Sequence, residues 1–445
     1  MQIPLQLLES LHDAKGFDLN AFLSVHENPA AITSVRINPA KPLPEPPSTI
    51  RVPWSEFGYY LEQRPSFTFD PLFHAGTYYV QEASSMFLEQ AIKQLADPSL
   101  PLRVLDLCAA PGGKSTHIQS LLNAESLLVS NEVIRSRVNI LQDNMVKWGS
   151  ANVMVTNNDP RDLSRLPAFF DLIIVDAPCS GSGLFRREPE AIEEWSEHNV
   201  AICSQRQQRI VSDIWSALKP GGILIYSTCS YSIQEDEDNY DWIKNSLEGE
   251  PLPLSLQEEW GITDTGKGYR FWPDKLKGEG LYLSVFRKPE VEEEKPARLK
   301  RKPSLQPAKD LAILDEWMIT EGHTFIQHGL AAYAWPEKMW YDMAVILQEL
   351  RVTYSGVLTG ELIHGKLVPA HSLAMSNILS PSLQKIELTK EMAIRYLQRK
   401  DLDILPSPIG WKLACFQGHP LGWMNVLKNR INNYYPGPLR IRKES

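Results

Sequence analysis

The chain contains 445 residues, of which 43% are hydrophobic and 22% charged, so a packed protein of two or three domains is expected. No apolar run reaches the roughly 20 residues that a membrane-spanning helix needs. Acids at positions 9, 13 and 18 predict an amphipathic N-terminal helix rather than a signal peptide, so we expect a cytoplasmic protein. The net charge of −9 leaves nucleic-acid binding open, because phosphate contacts depend on local patches.

The chain has five cysteines, an odd and low number for its length: Cys108, Cys179, Cys203, Cys229 and Cys415. No pair has C-x-x-C spacing, so the pattern predicts neither a disulfide framework nor a metal site. We expect free thiols in a reducing compartment.

The first 100 residues predict a small α+β module. Short helices are expected up to about residue 35, a strand at 33–38, and proline-rich loops at 39–53.

Residues 101–289 alternate short apolar runs with amphipathic helices. Strands are predicted at 104–107, 127–130, 153–156, 172–175, 223–226 and 281–286. Helices are predicted at 115–122, 134–147 and 205–218. This alternation favours an α/β fold whose parallel sheet is covered on both faces.

A charged, proline-containing linker is predicted at 290–303. The remaining residues, 304–445, have their own aromatic content and predict separate domain material. Their glycine-punctuated strands suggest a small β-rich barrel.

The first core strand leads into a loop of small residues, Cys108-Ala109-Ala110-Pro111-Gly112-Gly113-Lys114-Ser115. Such a loop before a helix lets a ligand approach the backbone. A phosphate-binding P-loop would need glycine where Cys108 stands, and a G-x-G-x-x-G fingerprint is absent. S-adenosylmethionine is the remaining candidate, and it needs carboxylates for its ribose, amino and adenine groups.

Acids follow four consecutive predicted strands: Asp106, Glu132, Asp159 and Asp176. The carboxyl ends of parallel strands share one edge of a sheet, so together these acids predict a cofactor pocket. Individually, each is equally compatible with a turn or a helix cap.

Two cysteines lie in polar loops at the same edge, Cys179 after the fourth strand and Cys229 after the fifth. A thiolate that adds to carbon 6 of cytosine makes carbon 5 nucleophilic enough to accept a methyl group. Asp176 is placed to assist at ring nitrogen 3, and Lys114 to favour the thiolate. An amino-group methyltransferase would carry an Asn/Asp-Pro-Pro-Tyr/Phe loop here, whereas this loop is Asp-Ala-Pro-Cys. Spacing alone does not rank the two cysteines.

These residues resemble the Nol/Nop/Sun family of RNA 5-methylcytosine methyltransferases over about residues 30–290. The matching motifs are YYVQEASSM at 78–86, LDLCAAPGGK at 105–114, DAPCSGSGLFRR at 176–187, YSTCS at 226–230 and GEG at 278–280.

The resemblance implies a Rossmann-like class I methyltransferase core that uses S-adenosyl-L-methionine. Cofactor-binding residues would be 108–114, Glu132, Arg137, Asp159 and Asp176. Cys229 would be the nucleophile, and Cys179 would promote proton loss and product release. Lys114 and Asp176 would assist at the base.

The tail resembles the C-terminal extension of bacterial ribosomal members, which ends in a PUA-like RNA-binding domain. This implies 16S ribosomal RNA as the substrate, with transfer RNA left open because relatives modify it. An unpaired cytosine is favoured, since the base must leave any stack to reach the thiol.

Candidate RNA contacts are the cations Arg186, Arg187, Lys300, Arg301, Lys302, Lys428, Arg430, Arg440, Arg442 and Lys443, and the aromatics Tyr434 and Tyr435. Two alternatives stay open. A small-molecule or protein methyltransferase would leave both loop cysteines without a role, and a non-catalytic RNA-binding protein would bind cofactor without turnover. The sequence is compatible with a monomer but does not define the oligomeric state.

Overall fold

A computed structural model describes residues 3–27, 32–290, 296–300, 306–307, 311–402 and 408–444. Much of the predicted linker, including Arg301 and Lys302, lies outside the described residues. Within the described part of the chain, no helix is both long and apolar enough to cross a membrane.

The N-terminal module combines short helices with a three-stranded antiparallel sheet of order β2-β1-β3. Its elements are α1 (Leu5–Ser10), α2 (Leu19–Glu27), β1 (Thr33–Ile37), β2 (Gly58–Leu61), α3 (Pro71–Ala75), β3 (Tyr78–Val80) and α4 (Leu88–Leu95). Sequence dictates the bounds of α3: Asp70 accepts a hydrogen bond from the Leu72 amide, and Gly76 ends the helix at a φ of 74°.

The central region alternates strands and helices as predicted. Its elements are β4 (Arg103–Asp106), α5 (Gly113–Leu121), β5 (Leu127–Asn131), α6 (Arg135–Trp148), β6 (Val153–Thr156), β7 (Phe170–Asp176), α7 (Ala191–Glu194), α8 (Glu197–Ile214), β8 (Leu218–Thr228), α9 (Glu237–Ser246), β9 (Glu250–Pro251), β10 (Thr263–Asp264), β11 (Tyr269–Phe271) and β12 (Leu281–Arg287). Strands β4 to β8 are mutually parallel, in the order β8-β7-β4-β5-β6.

The strand order reverses at β4, which has β5 on one side and β7 on the other. Such a reversal opens a crevice at the carboxyl ends of the strands, where ligands bind in this class of fold. The predicted parallel sheet spans β4 to β8, and beyond β8 the sheet continues with antiparallel strands, first β12 and then β11 and β10. A short loop joins β11 to β12, and only antiparallel neighbours tolerate so short a connection.

The sheet separates two apolar layers. Neighbouring residues of one strand, such as Val104 and Leu105, point into opposite layers because side chains alternate along a strand. The N-terminal module contributes Trp54 and Phe87 to the layer that contains Val104. Helix α8 packs into the other layer through Ile210. Both faces of the sheet are therefore covered, as the apolar strands predict.

The C-terminal region is rich in strands, as expected. Its elements are β13 (Gln306–Pro307), α10 (Leu311–Asp315), β14 (His323–His328), β15 (Ala331–Pro336), α11 (Trp340–Glu349), β16 (Val352–Ser355), β17 (Val357–Ile363), β18 (Lys366–Pro369), α12 (His371–Met375), β19 (Lys385–Glu387), α13 (Lys390–Leu397), β20 (Gly410–Phe416), β21 (His419–Val426) and β22 (Ile431–Asn433). They form a sheet of order β13-β14-β15-β17-β18 and another of order β19-β20-β21-β22.

One strand of this region belongs to the central sheet. Strand β16 pairs antiparallel with β6 and covers an edge that would otherwise present unpaired backbone groups. Arg103 at the start of β4 also pairs with Asp342 of α11 at 3.0 Å. The expectation of separate C-terminal material is thus corrected, since part of it completes the core.

Candidate functional site

The loop from β4 to α5 passes tightly between neighbouring side chains. Gly112, the N-cap of α5, has a φ of +113°, and a Cβ there would lie 3.3 Å from Asn144. A Cβ on Gly113 would lie 3.2 Å from the ring of Tyr79. The small residues therefore let the loop pack between α6 and the N-terminal module.

Arg36, a buried arginine that the sequence analysis did not single out, contacts this loop and the first turn of α5. Arg36 of β1 is fully buried, and it donates to the Thr116 hydroxyl at 2.7 Å and the Gly113 carbonyl at 3.3 Å. Its guanidinium stacks on Trp148 at 4.6 Å, and burial lowers the pKa of Arg36 to about 9. The N-terminal module thus holds the start of α5. The only sequence signal was a lone cation in an apolar strand.

Asp106, the last residue of β4, is fully buried and accepts a hydrogen bond from the Ser115 hydroxyl at 2.6 Å. Among the described residues, its second oxygen has no hydrogen-bond partner. Burial raises the pKa of Asp106 to about 7, against the opposing effect of the Ser115 hydrogen bond. A buried, unsatisfied acceptor fits a cationic donor such as the α-ammonium of S-adenosylmethionine.

Glu132 and Arg137 brace the same loop. Glu132 is 3% exposed and accepts a hydrogen bond from the Ile134 amide at 2.8 Å. Arg137 lies 3.5 Å from the Glu132 carboxylate and donates to the Ala110 carbonyl at 2.6 Å. The structure therefore brings Glu132, Arg137 and the loop together.

Asp159 lies at the end of the neighbouring strand, as predicted. Its carboxylate caps a short 3-10 helix by accepting from the Arg161 amide and contacts the Arg161 side chain at 3.5 Å. In this structure its contacts are local ones.

Lys114 and Asp176 form an ion pair at 2.7 Å across the crevice. Asp176 also accepts a hydrogen bond from the Ser227 hydroxyl at 2.9 Å. Burial is the largest single influence and disfavours the charged amine, but the charge and hydrogen bond of Asp176, together with the charges of Asp106 and Cys229, outweigh it and raise the pKa of Lys114. A cation and an anion are thus held together at the end of β7.

Cys179 and Cys229 face each other with their sulfur atoms 2.7 Å apart. Their surroundings differ. The hydrogen bond to Cys229, burial and the negative charges of Cys229 and Glu235 keep the pKa of Cys179 well above its ordinary value. Lys114, in contrast, is close enough to Cys229 for their charges to attract.

The other three cysteines are not part of this facing pair. Burial first, and then the charges of Asp176, Asp106 and Glu132, raise the pKa of Cys108 far above its ordinary value. Cys203 is buried on α8 and Cys415 on β20. These thiols serve as small apolar groups.

Backbone hydrogen bonds link the nucleophile loop to the GEG segment. The Gly183 amide donates to the Cys229 carbonyl at 2.8 Å, and the Gly280 amide donates to the Gly183 carbonyl at 3.3 Å. Glu82 of the N-terminal module accepts from the Glu279 amide at 2.9 Å. Four of the matched sequence motifs, at 78–86, 176–187, 226–230 and 278–280, thus meet beside the cysteines.

A cavity of about 270 Å³ opens where these segments meet, between the N-terminal module and the core. Its lining includes Arg64, Gln81, Glu82, Arg187 and Glu279.

The structure corrects two of the predicted RNA contacts. Arg186 is 8% exposed and donates to the Gly278 carbonyl at 3.1 Å, so it is not a surface phosphate ligand. Tyr435 is 4% exposed and packs against Tyr396, so its ring is not available to stack on a base. Both side chains are buried by contacts within the fold, and a local sequence pattern does not predict such contacts.

The other predicted contacts within the described residues are exposed. Arg187 and the terminal cations face solvent, namely Lys428, Arg430, Arg440, Arg442 and Lys443. Tyr434 is 41% exposed, although its ring contacts Trp411 at 4.4 Å. Lys300 is exposed and pairs with Glu349 at 2.9 Å.

Within the part of the chain that the structure describes, no group of three or more His, Cys, Asp or Glu side chains is arranged to hold a metal ion.

Three family models match successive parts of the chain. Residues 94–287 match the 16S rRNA methyltransferase RsmB/F family. Residues 3–83 match the N-terminal domain of 16S rRNA methyltransferase RsmF, and residues 383–441 match the methyltransferase RsmF PUA domain.

Curated relatives align along most of the chain. The ribosomal RNA small subunit methyltransferase F of Psychromonas ingrahamii is 30% identical over 412 residues, which cover 87% of this chain and 85% of the relative. The protein of the same name from Escherichia coli K12 is 30% identical over 408 residues, with 87% and 84% covered.

Solved structures share the fold. A methyltransferase homolog protein from Pyrococcus horikoshii superposes with a TM-score of 0.51 at 27% identity, covering 64% of this chain and all of the other. NSun6 from the same organism, solved with SFG, gives a TM-score of 0.52 at 20% identity, covering 61% of this chain and 94% of the other. The second likeness concerns the fold alone.

Proposed function

Since the chain belongs to the 16S rRNA methyltransferase RsmB/F family, we propose that it methylates carbon 5 of a cytosine in 16S ribosomal RNA through a covalent bond to Cys229. It is an S-adenosylmethionine-dependent RNA methyltransferase. The observation that carries the covalent mechanism is the pair of facing thiols beside the Lys114–Asp176 ion pair.

The cofactor would be held at the carboxyl edge of β4 to β7. The backbone of residues 108–114 would line its methionine end, with Asp106 accepting from the α-ammonium. Glu132, braced by Arg137, would accept from the ribose hydroxyls, and Asp159 would accept from the adenine amino group. When bound, S-adenosylmethionine supplies the methyl group as an electrophile on its sulfonium.

The protein's own groups prepare the cytosine ring. The Cys229 thiolate forms a bond to carbon 6, while ring nitrogen 3 takes a proton from the Lys114–Asp176 pair. The electron pair gained by carbon 5 makes that carbon the nucleophile for methylation. Lys114 favours the thiolate before this step, because its charge attracts that of Cys229.

Release of the methylated RNA requires that the bond between the base and the enzyme breaks. Carbon 5 loses its proton to a base, the bond between carbon 6 and sulfur breaks, and its electrons return to Cys229. Nitrogen 3 gives its proton back to the ion pair. Cys179 would promote proton loss from its position 2.7 Å from the Cys229 sulfur.

RNA is the substrate class, and 16S ribosomal RNA is the proposed member of it. The C-terminal match to a PUA domain and the exposed terminal cations support a contact away from the cysteines. The experiment is label transfer from methyl-tritiated S-adenosylmethionine to small ribosomal subunits lacking the modification, their naked RNA and transfer RNA. Label in 5-methylcytosine of ribosomal RNA supports the proposal, and label on transfer RNA alone contradicts the choice of substrate.

Cys229→Ala is expected to abolish methyl transfer and leave cofactor affinity nearly unchanged, because Cys229 would bond to the base, whereas the loop backbone and the acids at the strand ends would hold the cofactor. Cys179→Ala is expected to accumulate a covalent protein–RNA adduct through Cys229, because release would stall. Denaturing gel electrophoresis with labelled RNA detects the adduct. Activity in the Cys229 variant would contradict the mechanism, and loss of activity without an adduct in the Cys179 variant would contradict the release role.

A further inference from the structure

We infer that Glu235 is a positioning residue that locks the Cys179 loop to the Cys229 loop and keeps the two sulfurs chemically different. This inference rests on the nucleophilic role proposed above for Cys229. The sequence analysis did not single out Glu235, which follows Cys229 by six positions in a polar segment.

The carboxylate joins the two loops directly. Glu235 has no exposed surface, and one of its oxygens accepts hydrogen bonds from both the Ser180 hydroxyl at 2.5 Å and the Ser230 hydroxyl at 2.6 Å. Ser180 follows Cys179 in the chain, and Ser230 follows Cys229. A single oxygen atom therefore sets the distance between the residues next to both sulfurs.

Two further donors fix the carboxylate itself. Its other oxygen accepts from the Ser180 amide at 2.8 Å and from the side-chain amide of Gln207 on α8 at 3.0 Å. The two carboxylate oxygens of Glu235 therefore accept four hydrogen bonds in all, from Ser180, Ser230 and Gln207. Because these hydrogen bonds come from two loops and from α8, they hold the carboxylate in one orientation.

The charge of Glu235 also acts on the Cys179 thiol. Glu235 disfavours ionisation of Cys179, whereas Lys114 attracts the charge of Cys229. The Cys179 thiol is thus influenced by the Glu235 anion, and the Cys229 thiol, which directly follows β8, by the Lys114 cation. The groups that act on the Cys179 thiol are Cys229, Glu235 and the backbone at Gly181, the last of which favours its ionised form.

Glu235→Gln tests the role, because it keeps the shape and removes the charge. We expect the single-turnover rate constant to fall about 100-fold, the cost of a misplaced reacting group, with cofactor affinity and KM for RNA little changed. The matched control is Asp171→Asn. Asp171 also accepts from a backbone amide, that of Arg103 at 2.8 Å, but it lies at the opposite edge of the sheet and should leave the rate unchanged.

A second measurement separates positioning from general stability. In a Cys229→Ala background, alkylation of Cys179 by iodoacetamide is followed against pH by peptide mass spectrometry. Adding Glu235→Gln should move this profile toward lower pH by about one unit, since a nearby negative charge no longer opposes the thiolate. An unchanged profile overturns the electrostatic role, and a wild-type rate in Glu235→Gln overturns the positioning role.

If Glu235→Gln does not fold, Ser180→Ala and Ser230→Ala give the same answer with the carboxylate intact. Both should slow the reaction, and the double variant should depart from additivity because the two hydroxyls share one oxygen. Independent effects overturn the inference. Activity in Cys229→Ala would instead overturn the proposed mechanism. If Cys229→Ala is inactive but Glu235→Gln is fully active, the mechanism stands and only the role of Glu235 is overturned.

Discussion

Two aspartates at the ends of adjacent strands show how the surroundings of a residue determine its role. Asp176 has a cation and a hydroxyl as partners, Lys114 and Ser227. Asp106 has only the Ser115 hydroxyl and is fully buried, so its pKa rises to about 7. Residues that look equivalent along the chain are therefore prepared for different partners.

Cofactor affinity should depend on pH through Asp106. Burial keeps Asp106 protonated below about pH 7, and only its ionised form attracts an ammonium. Binding should therefore strengthen about tenfold between pH 5.5 and 7. Asp106→Asn should bind more weakly at pH 7 and lose this dependence. Isothermal titration calorimetry with S-adenosylmethionine measures both.

The control for this prediction is Asp171→Asn, whose carboxylate lies at the other end of the strands and should retain the wild-type pH profile. A pH dependence that survives in Asp106→Asn would assign the titration to another group.

At the scale of elements, the loops at the carboxyl edge of the sheet are hydrogen-bonded to one another and form one connected unit. The loop after β7, the loop after β8 and the segment before β12 are joined by backbone hydrogen bonds through Gly183. A Cβ at Gly183 would lie 2.7 Å from the carbonyl oxygens of both Cys229 and Gly280. These are backbone atoms, which do not move without moving the loops.

Gly183→Ala should therefore displace Cys229. We expect the methylation rate to fall about 100-fold, because a nucleophile displaced by about 1 Å reacts that much more slowly. Cofactor affinity should hold, because the loop at 108–114 is not touched. Single-turnover kinetics and calorimetry separate the two effects. Gly437→Ala is the matched control, since its Cβ would meet only the flexible end of Arg399 at 3.2 Å. Equal losses in both variants would contradict this reasoning.

At the scale of the whole molecule, the three regions share their apolar cores. Tyr354 of β16 packs into the same core as Trp54 of the N-terminal module. Ala75 of α3 packs with Leu388 of the C-terminal region. Such shared cores couple the stability of the regions, because the unfolding of one exposes apolar surface of the others.

The chain should consequently unfold in a single thermal transition, to which S-adenosylmethionine adds stability throughout. Tyr354→Ala should destabilise the whole protein by about 3 kcal/mol, the usual cost of truncating a buried aromatic residue. Differential scanning calorimetry gives the ratio of calorimetric to van't Hoff enthalpy, expected to be near one. Two separated transitions, with only one shifted by cofactor, would contradict the coupling.

Local sequence patterns determined the central elements and the reactive loops. The apolar runs at β4 to β8 have the length and composition of buried parallel strands. The loop at 108–114 can be recognised from its own small residues, without knowledge of what packs against it. The acids at the strand ends and the cysteines at 179 and 229 follow from the same reasoning. These features depend on neighbours a few residues apart, which the chain displays directly.

Only the tertiary structure decided which groups meet across long separations. It assigned Arg36 to the underside of α5, paired β16 with β6, and buried Arg186 and Tyr435. It also set Glu235 between the two cysteine loops, where the carboxylate accepts from Ser180 and Ser230. Hydrogen bonding and burial depend on distances in space. Contacts between residues that are 50 or 200 positions apart produce no local sequence pattern from which they could be predicted.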